Sequence, residues 1–252
     1  MYYNNSLPKK SWKYKVSKQI VLVEDEQDLR DNYTAMLENQ GYQVTAFSSK
    51  KEAQIALQEQ LPDLVILDIG LEDDIDGGFE LCRQLRSQSE QLPIIFLTAR
   101  DNDIDTISAL RLGADDYLTK DISLQHLSAR ISAIFRRIEA LSSTSTNTNQ
   151  PNSNQAKSNQ TGELSIDLER LEVFWQGNQL ELTITEIWLL NALVAHPGHV
   201  KSREQLMQAA NTLVDDNTIT AQIRRIRNKF LESDKDFDCI ESVYGAGYRW
   251  HC

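Results

Sequence analysis

Polar residues able to do chemistry follow short apolar runs along the first half of the chain. Glu24 and Asp25 follow IVLV, and three later runs end in single residues: LVIL in Asp68, IIFL in Thr98 and YLT in Lys120. The carboxyl ends of parallel strands converge on one edge of an α/β sheet, so these side chains are predicted to share a crevice. Carboxylates, a hydroxyl and an ammonium group together suit Mg²⁺ and one phosphoryl group.

Within this crevice, Asp68 is the predicted phosphoacceptor, because a carboxylate can attack phosphorus and form an acyl phosphate. Lys120 and Thr98 are predicted to bind two oxygens of the phosphoryl group, whose negative charge needs a cation and hydrogen-bond donors. The predicted ligands of Mg²⁺ are oxygens of Glu24, Asp25, Asp68 and Gly70.

The elements that must position these residues alternate between strand and helix patterns. Strands are predicted at 19–23, 42–47, 64–67, 94–98 and 116–119, with helical periodicities between them. Such alternation predicts an α/β domain with a doubly wound, five-stranded parallel sheet. We place it at 19–141, after a basic N-terminal extension at 1–18.

The segment 142–161 separates this domain from a second one. Its sequence, SSTSTNTNQPNSNQAKSNQT, has no large apolar residue, so it is predicted to be a flexible linker. Three short strand patterns, three helices and a final hairpin follow, which predicts a smaller α+β domain at 162–252. Capping boxes at Thr183/Glu186 and Ser202/Gln205 start the first two helices, and Asn217 is the predicted N-cap of the third.

The composition limits where the protein works. Three scattered cysteines show no metal-ligand spacing, which predicts free thiols in a reducing compartment. No apolar run is long enough for a membrane span, and no apolar segment follows the N-terminal lysines. A soluble cytoplasmic protein is expected. Its net charge of −11 argues against nucleic acid until the local basic cluster at 224–229 is considered.

The spacing of Asp68, Thr98 and Lys120, together with RLGADDYLTK at 111–120, resembles the receiver domain of two-component response regulators. The resemblance implies a flavodoxin-like fold and phosphotransfer from a sensor histidine kinase to Asp68. It also implies that Thr98 and Tyr117 rearrange together on phosphorylation. Beyond accepting phosphate and slowly hydrolysing it, such a protein is not an enzyme.

The chain departs from the receiver pattern at two places. Asp121 replaces the usual proline after Lys120, so that peptide bond is either trans or a strained cis bond. The loop after Asp68, IGLEDDIDGG, is longer and more acidic than usual. The combination of DIGL, IDGGFELCR and LTKDISL resembles a subgroup of regulators encoded beside sortase systems in proteobacteria.

The third helix pattern of the second domain, NTITAQIRRIRNKF, has two distinct faces. Its apolar residues recur at helical spacing and are predicted to pack on the core. The opposite face is small, basic and amide-bearing, which suits the major groove of DNA. That predicted DNA-binding face consists of Ala221, Arg224, Arg225 and Asn228.

The second domain resembles the winged-helix effector of OmpR/PhoB-type regulators, on LTITEIWLLNALVAHPGHVKSREQL, IRRIRNKF and SVYGAGYRW. The resemblance implies a recognition helix at 217–230, starting at Asn217, and a wing at 240–250 with Tyr244 and Arg249 toward DNA. It also implies a homodimer on activation, with RNA polymerase as a further candidate partner. The implied dimer face carries Asp115, Asp116, Arg130, Arg136 and Arg137.

These observations predict a phosphorylation-dependent transcriptional regulator that binds promoter DNA as a dimer. Two other classes stay open at this point. One is a constitutive DNA-binding regulator whose receiver is a dimerisation module, which Asp121 would favour if it disables the site. The other is a phosphate-handling or protein-interaction module without a DNA role.

Overall fold

The computed structural model describes residues 17–71, 74–142, 158–168, 170–209 and 216–252. The N-terminal domain is the predicted five-stranded parallel sheet, and its strand order is β2-β1-β3-β4-β5. Its strands are β1 (Gln19–Val23), β2 (Gln43–Phe47), β3 (Leu64–Leu67), β4 (Ile94–Thr98) and β5 (Asp116–Thr119). Its helices are α1 (Gln27–Asn39), α2 (Lys50–Glu59), α3 (Gly77–Gln88), α4 (Asp103–Leu112) and α5 (Leu124–Ser142).

The central strands are apolar along their whole length because both faces of the sheet are covered. In β1, Val21 and Val23 enter one core, whereas Ile20 and Leu22 enter the core on the opposite face. This two-sided burial is typical of parallel sheets and explains why the strand bounds were predictable. It leaves the strand ends as the places where polar side chains can gather.

The C-terminal domain begins with an antiparallel four-stranded sheet and ends in a hairpin. Its strands are β6 (Ser158–Thr161), β7 (Leu164–Asp167), β8 (Glu172–Trp175), β9 (Asn178–Leu180), β10 (Ile240–Val243) and β11 (Gly247–Trp250). Its helices are α6 (Ile184–Val194), α7 (Arg203–Ala209) and α8 (Asp216–Ser233). This arrangement confirms the predicted α+β winged-helix class.

Two sequence-based bounds need correction. Residues 158–161 form β6 and pair with β7, although they were predicted to be linker. Helix α8 begins at Asp216, so Asn217 lies inside the helix rather than at its N-cap. The remainder of the predicted linker, from 143 to 157, and residues 1–16 of the N-terminal extension lie outside the described residues.

Both predicted capping boxes are confirmed. Thr183 accepts a hydrogen bond from the Glu186 backbone, and the Glu186 carboxylate accepts one from the Thr183 backbone. Ser202 and Gln205 form the same reciprocal pair, at 3.0 and 3.1 Å. Across the described ranges, no helix is both long and apolar enough to cross a bilayer.

The prediction of free thiols is wrong for two of the three cysteines. Cys239 and Cys252 form a disulfide, with their Cα atoms 5.2 Å apart. The antiparallel register pairs Ile240 with Trp250, and the His251 N–H donates to the Cys239 carbonyl, so the next residue, Cys252, lies within reach of Cys239. Cys82 is a free and buried thiol, and burial raises its pKa to about 11.

Candidate functional site

The carboxyl ends of four adjacent strands bring the predicted phosphorylation residues together. Carboxylate oxygens of Glu24, Asp25 and Asp68 all lie within 4.8 Å of one another. The Lys120 ammonium lies 2.7 Å from Glu24 Oε1 and 2.6 Å from Asp68 Oδ2. The crevice therefore gathers three carboxylates around one ammonium group.

The backbone around Asp68 is tightly fixed. Its N–H donates to the Val23 carbonyl at 2.9 Å, and the Ile69 N–H donates to Asp68 Oδ1 at 2.6 Å. Helix α3 starts directly against this segment, because a Cβ at Gly78 would lie only 2.0 Å from the Asp68 carbonyl oxygen. Glycine at position 78 thus allows the close approach that frames the site.

Burial and neighbouring charges shift the pKa values of Glu24 and Lys120 in opposite directions. Glu24 is 1% exposed, and this burial raises its pKa to about 6, although Lys120 acts to lower it. Burial acts to lower the pKa of Lys120, but hydrogen bonds to Asp68 and Glu24 raise it above the usual value. The ammonium therefore stays charged at neutral pH.

The donor set fits Mg²⁺, which prefers oxygen ligands and usually takes one or two carboxylates together with water and phosphate. Glu24, Asp25 and Asp68 supply such oxygens at close quarters. Gly70 follows in the loop after β3, and its carbonyl remains a predicted ligand.

Thr98 and Tyr117 are joined through the backbone of Arg100. The Arg100 N–H donates to Thr98 Oγ1 at 3.4 Å, and the Tyr117 hydroxyl donates to the Arg100 carbonyl at 2.8 Å. Thr98 is buried, and burial raises the pKa of Tyr117 to about 12. A phosphoryl group that draws in the Thr98 hydroxyl would thus act on the segment that Tyr117 also holds.

Sequence reasoning missed the role of Arg100. Its guanidinium lies 3.3 Å from Asp76 and 3.2 Å from Asp105, and it also donates to the Ile75 carbonyl. It therefore ties the long acidic loop after β3 to the first turns of α4. An arginine two residues beyond Thr98, opposite an acid-rich loop, was the available signal.

The peptide bond after Lys120 is trans, since no cis bond occurs among the described residues. Asp121 accepts a hydrogen bond from the Thr119 hydroxyl. The replacement of proline therefore does not prevent Lys120 from reaching Asp68.

The predicted DNA-binding face of α8 is only partly open. Arg224 and Asn228 are exposed, and the apolar side Ile219, Ile223, Ile226 and Phe230 is buried as predicted. In contrast, Ala221 is buried, and Arg225 is ion-paired with Glu90 of the N-terminal domain at 3.0 Å. The side chain of Asn217 lies outside the described part of the chain.

The wing hairpin presents Tyr244 to solvent at the tip between β10 and β11. Arg249 lies along the hairpin, where its Nε is 2.6 Å from Glu241. The exposed tyrosine is thus available for contact, whereas Arg249 already has a partner on the neighbouring strand.

Asp115, which is predicted to lie on an intersubunit face, is buried within the chain in the described structure. Asp115 is 3% exposed, and it accepts hydrogen bonds from Arg86 at 3.0 Å and Thr185 at 2.9 Å. Asp116 and Arg130 form a pair within the chain at 3.0 Å. Arg136 is exposed, and the side chain of Arg137 lies beyond what the structure describes.

Comparison with known proteins agrees with both domains. Residues 20–132 match the response regulator receiver domain, and residues 177–250 match the C-terminal domain of transcriptional regulatory proteins. The chain is therefore a response regulator, a transcription factor rather than an enzyme. More particularly, it belongs to the OmpR/PhoB family of these regulators.

Full-length relatives support this assignment. The chain is 37% identical to the transcriptional regulatory protein AfsQ1 of Streptomyces coelicolor, over 91% of this chain and 96% of that protein. It is 37% identical to the phosphate regulon regulator PhoB of Rhizobium meliloti, over 91% and 96%. Among solved structures, the RitR mutant C128S superposes with a TM-score of 0.67 and 26% identity, over 93% of this chain and 99% of that one.

Proposed function

We propose that the chain accepts a phosphoryl group on Asp68 from a sensor histidine kinase and, once phosphorylated, binds promoter DNA as a dimer. The observation that carries this proposal is the convergence of Glu24, Asp25, Asp68 and Lys120 at one sheet edge. The proteobacterial sortase subgroup remains a prediction, and the names of the relatives above do not mention it.

In the transfer step, an Asp68 carboxylate oxygen forms a bond to phosphorus. The bond from phosphorus to the kinase imidazole nitrogen breaks, and its electron pair returns to that nitrogen. Lys120, 2.6 Å from Asp68 Oδ2, neutralises charge on a phosphoryl oxygen, and the Thr98 hydroxyl donates to another. Bound Mg²⁺, held by Glu24, Asp25 and Asp68, would supply further charge neutralisation at the phosphoryl oxygens.

For DNA binding, α8 would enter the major groove with Arg224 and Asn228 toward base edges and phosphates. Tyr244 at the tip of the wing would contact the sugar-phosphate backbone. Arg225 would join this surface only after it leaves Glu90 of the N-terminal domain, and Ala221 is buried in the described arrangement.

The test of phosphotransfer uses a small-molecule phosphodonor such as acetyl phosphate with Mg²⁺. Asp68→Asn should abolish uptake, measured by phosphate-affinity electrophoresis, because the amide cannot form the acyl phosphate. Asp31→Asn makes the same change on exposed α1 and should leave uptake unchanged. Equal labelling of both variants would exclude Asp68 as the acceptor.

The test of DNA binding uses a short mixed-sequence duplex at low ionic strength. Arg224→Ala should weaken binding severalfold, since an exposed arginine on α8 would lose its phosphate or base contact. Arg170→Ala removes one cation from another part of the same domain and serves as the control. An unchanged affinity in Arg224→Ala would favour a regulator whose DNA surface lies elsewhere.

A further inference from the structure

Two cysteines and an aspartate meet where the wing hairpin begins and ends. Cys239 comes directly before β10, and Cys252 lies two residues after the end of β11. Their sulfur atoms and a carboxylate oxygen of Asp238 all lie within 4.8 Å of one another. We name these three residues the wing-base cluster. In the part of the chain that the structure describes, the other group of metal-ligating side chains this close together is the phosphorylation site.

The donor atoms of the wing-base cluster differ from those of the phosphorylation site. The phosphorylation site offers carboxylate oxygens, which suit Mg²⁺, whereas the wing-base cluster offers two sulfurs and one oxygen. Thiolates and carboxylates are typical ligands of Zn²⁺, which binds sulfur at about 2.3 Å and oxygen at about 2.0–2.2 Å. In a tetrahedron with such bonds, the ligand atoms lie about 3.3–3.8 Å apart. The separations within the wing-base cluster are therefore compatible with a single zinc ion.

Backbone contacts hold the two segments that carry these ligands side by side. The His251 N–H donates to the Cys239 carbonyl at 3.0 Å, and His251 Nε2 lies 2.8 Å from the Asp238 carbonyl oxygen. The hairpin register pairs Ile240 with Trp250, and the Cα atoms of the two cysteines are 5.2 Å apart. A metal ion would therefore require little rearrangement of the backbone.

The cysteine pair has an oxidised and a reduced state, and only the reduced state can bind a metal ion through thiolates. Reduction of the disulfide adds two electrons and two protons and gives two thiols. Zn²⁺ then displaces both protons as it binds the two sulfurs. Disulfides are rare in a reducing compartment, where these cysteines would be thiols. Cys239 is only 3% exposed, and a buried thiolate is costly unless a cation accompanies it.

We propose that Asp238, Cys239 and Cys252 bind Zn²⁺ when the cysteines are reduced, with water completing the tetrahedron. This inference goes beyond the proposed function and depends on neither phosphotransfer nor DNA binding. The ion would link the segment before β10 to the segment after β11, as the disulfide does, and so hold the base of the wing together in the reduced protein. Because Asp238 and Cys252 are exposed, the ion can enter from solvent without opening the domain.

The test uses Co²⁺ as a probe, because it binds the same kinds of ligand as Zn²⁺ and its bonds to thiolates absorb in the near ultraviolet. The full chain is reduced with a phosphine, freed of reductant without oxygen, and titrated in excess Mg²⁺, which occupies the carboxylates of the phosphorylation site. A sulfur-to-cobalt charge-transfer band should grow until one ion is bound per chain, and added Zn²⁺ should abolish it. No such band should form with the disulfide. Its absence from the reduced chain would overturn the proposal.

Cys252→Ser identifies the sulfurs that hold the metal. Loss of a group that only supports a ligand weakens metal binding by about 10–100-fold, so loss of a ligand itself should weaken Co²⁺ binding at least as much. Cys82→Ala removes the free thiol of the receiver and should leave the titration unchanged. A full charge-transfer band in Cys252→Ser would place the cobalt on other ligands and overturn the proposal.

Asp238→Asn tests the oxygen ligand, and Asp236→Asn is its control, since both carboxylates are exposed and lie two residues apart. Asp238→Asn should weaken Zn²⁺ binding by at least about tenfold, whereas Asp236→Asn should bind as the wild type does. Equal affinities of the two variants would reject Asp238 as a ligand.

A thermal measurement reports the link across the hairpin. In calorimetry, Zn²⁺ should raise the unfolding temperature of the effector in the reduced wild type, because the ion binds the folded state. It should have no such effect on Cys252→Ser or on the disulfide form. An equal rise in all three proteins would overturn the proposal.

Discussion

The phosphorylation site and the contact between α8 and the receiver are both charge clusters, yet their balance differs. In the first, Glu24, Asp25 and Asp68 surround the ammonium of Lys120. In the second, two carboxylates, Glu90 and Glu186, face two cations, Arg225 and Lys229. The excess of acid in the first cluster suits a divalent cation, whereas the second cluster has equal numbers of carboxylates and cations.

The difference in charge balance indicates how each cluster would respond to a ligand. In the proposed function, a phosphoryl group and Mg²⁺ would complete the first cluster, because together they bring the positive charge and the oxygen ligands that it accommodates. The second cluster already holds as many carboxylates as cations. The first cluster is thus suited to gain a ligand, whereas DNA phosphates would have to replace a carboxylate of the second.

The largest loss of stability is expected at the buried ion pair between Arg86 and Asp115. Arg86→Met leaves Asp115 buried without its arginine and should cost about 3–5 kcal/mol of unfolding free energy, measured by urea denaturation. Lys50→Met is the control, because its pairs with Asp74 and Glu80 are more exposed and should contribute less than about 1 kcal/mol. Similar losses in both variants would contradict the importance of burial.

The disulfide of the described structure lies within the C-terminal domain and should stabilise that domain alone. Cys239 and Cys252 are separated by 13 residues, and closing a loop of this size stabilises a domain by about 3 kcal/mol. Cys252→Ser should lower the unfolding temperature of the effector under oxidising conditions, measured by calorimetry. Added reductant should lower the unfolding temperature of the wild-type effector by the same amount and leave that of the variant unchanged. The unfolding temperature of the receiver should stay the same in both proteins.

Removing a carboxylate from the balanced cluster should destabilise the protein. Glu186→Gln keeps the capping bond to the Thr183 backbone but leaves Arg225 and Lys229 with fewer negative partners. The expected cost is about 2 kcal/mol, less than for a fully buried pair because both cations retain some exposure. Glu232→Gln, an exposed change on α8, should have almost no effect in the same denaturation experiment.

Removing a carboxylate from the acid-rich cluster should instead stabilise the protein. The pKa of Glu24 is raised from 4.5 to about 6, so its contribution to stability is complete below pH 4.5 and is lost as the pH rises through 6. In metal-free protein at pH 7.5, Glu24→Gln should therefore raise the unfolding free energy by about 1–2 kcal/mol. At pH 4.5 and below, wild type and variant should converge.

The sequence predicts the receiver better than the contacts between domains. The strands at 19–23, 64–67 and 94–98 were predictable because buried parallel strands are nearly continuous apolar runs. The placement of Asp68 and Lys120 then follows from where those runs end. Helical periodicity likewise identified the polar side of α8.

The periodicity of a sequence does not show which partner a polar side chain contacts. Contacts between the two domains were therefore not predicted. Arg225 and Ala221 lie on the face that the pattern assigned to DNA, but here Arg225 is ion-paired with Glu90 of the receiver and Ala221 is buried. The family resemblance places Asp115 on a dimer face, and its contact with Thr185 in the other domain, 70 residues away, could not be inferred from the sequence. The disulfide depended on hairpin register, which cysteine spacing does not reveal.

Glu90 would also affect the number of phosphate contacts that is estimated from the salt dependence of DNA binding. If α8 enters the major groove as proposed, DNA phosphates would replace Glu90 beside Arg225 and Lys229. Counterions would then leave the phosphates, but the Glu90 carboxylate would return to solvent and gather ions again. The slope of affinity against salt would then report fewer contacts in the full chain than the bound complex contains. A shallow slope would therefore measure the exchange of one anion for another rather than a small footprint on the duplex.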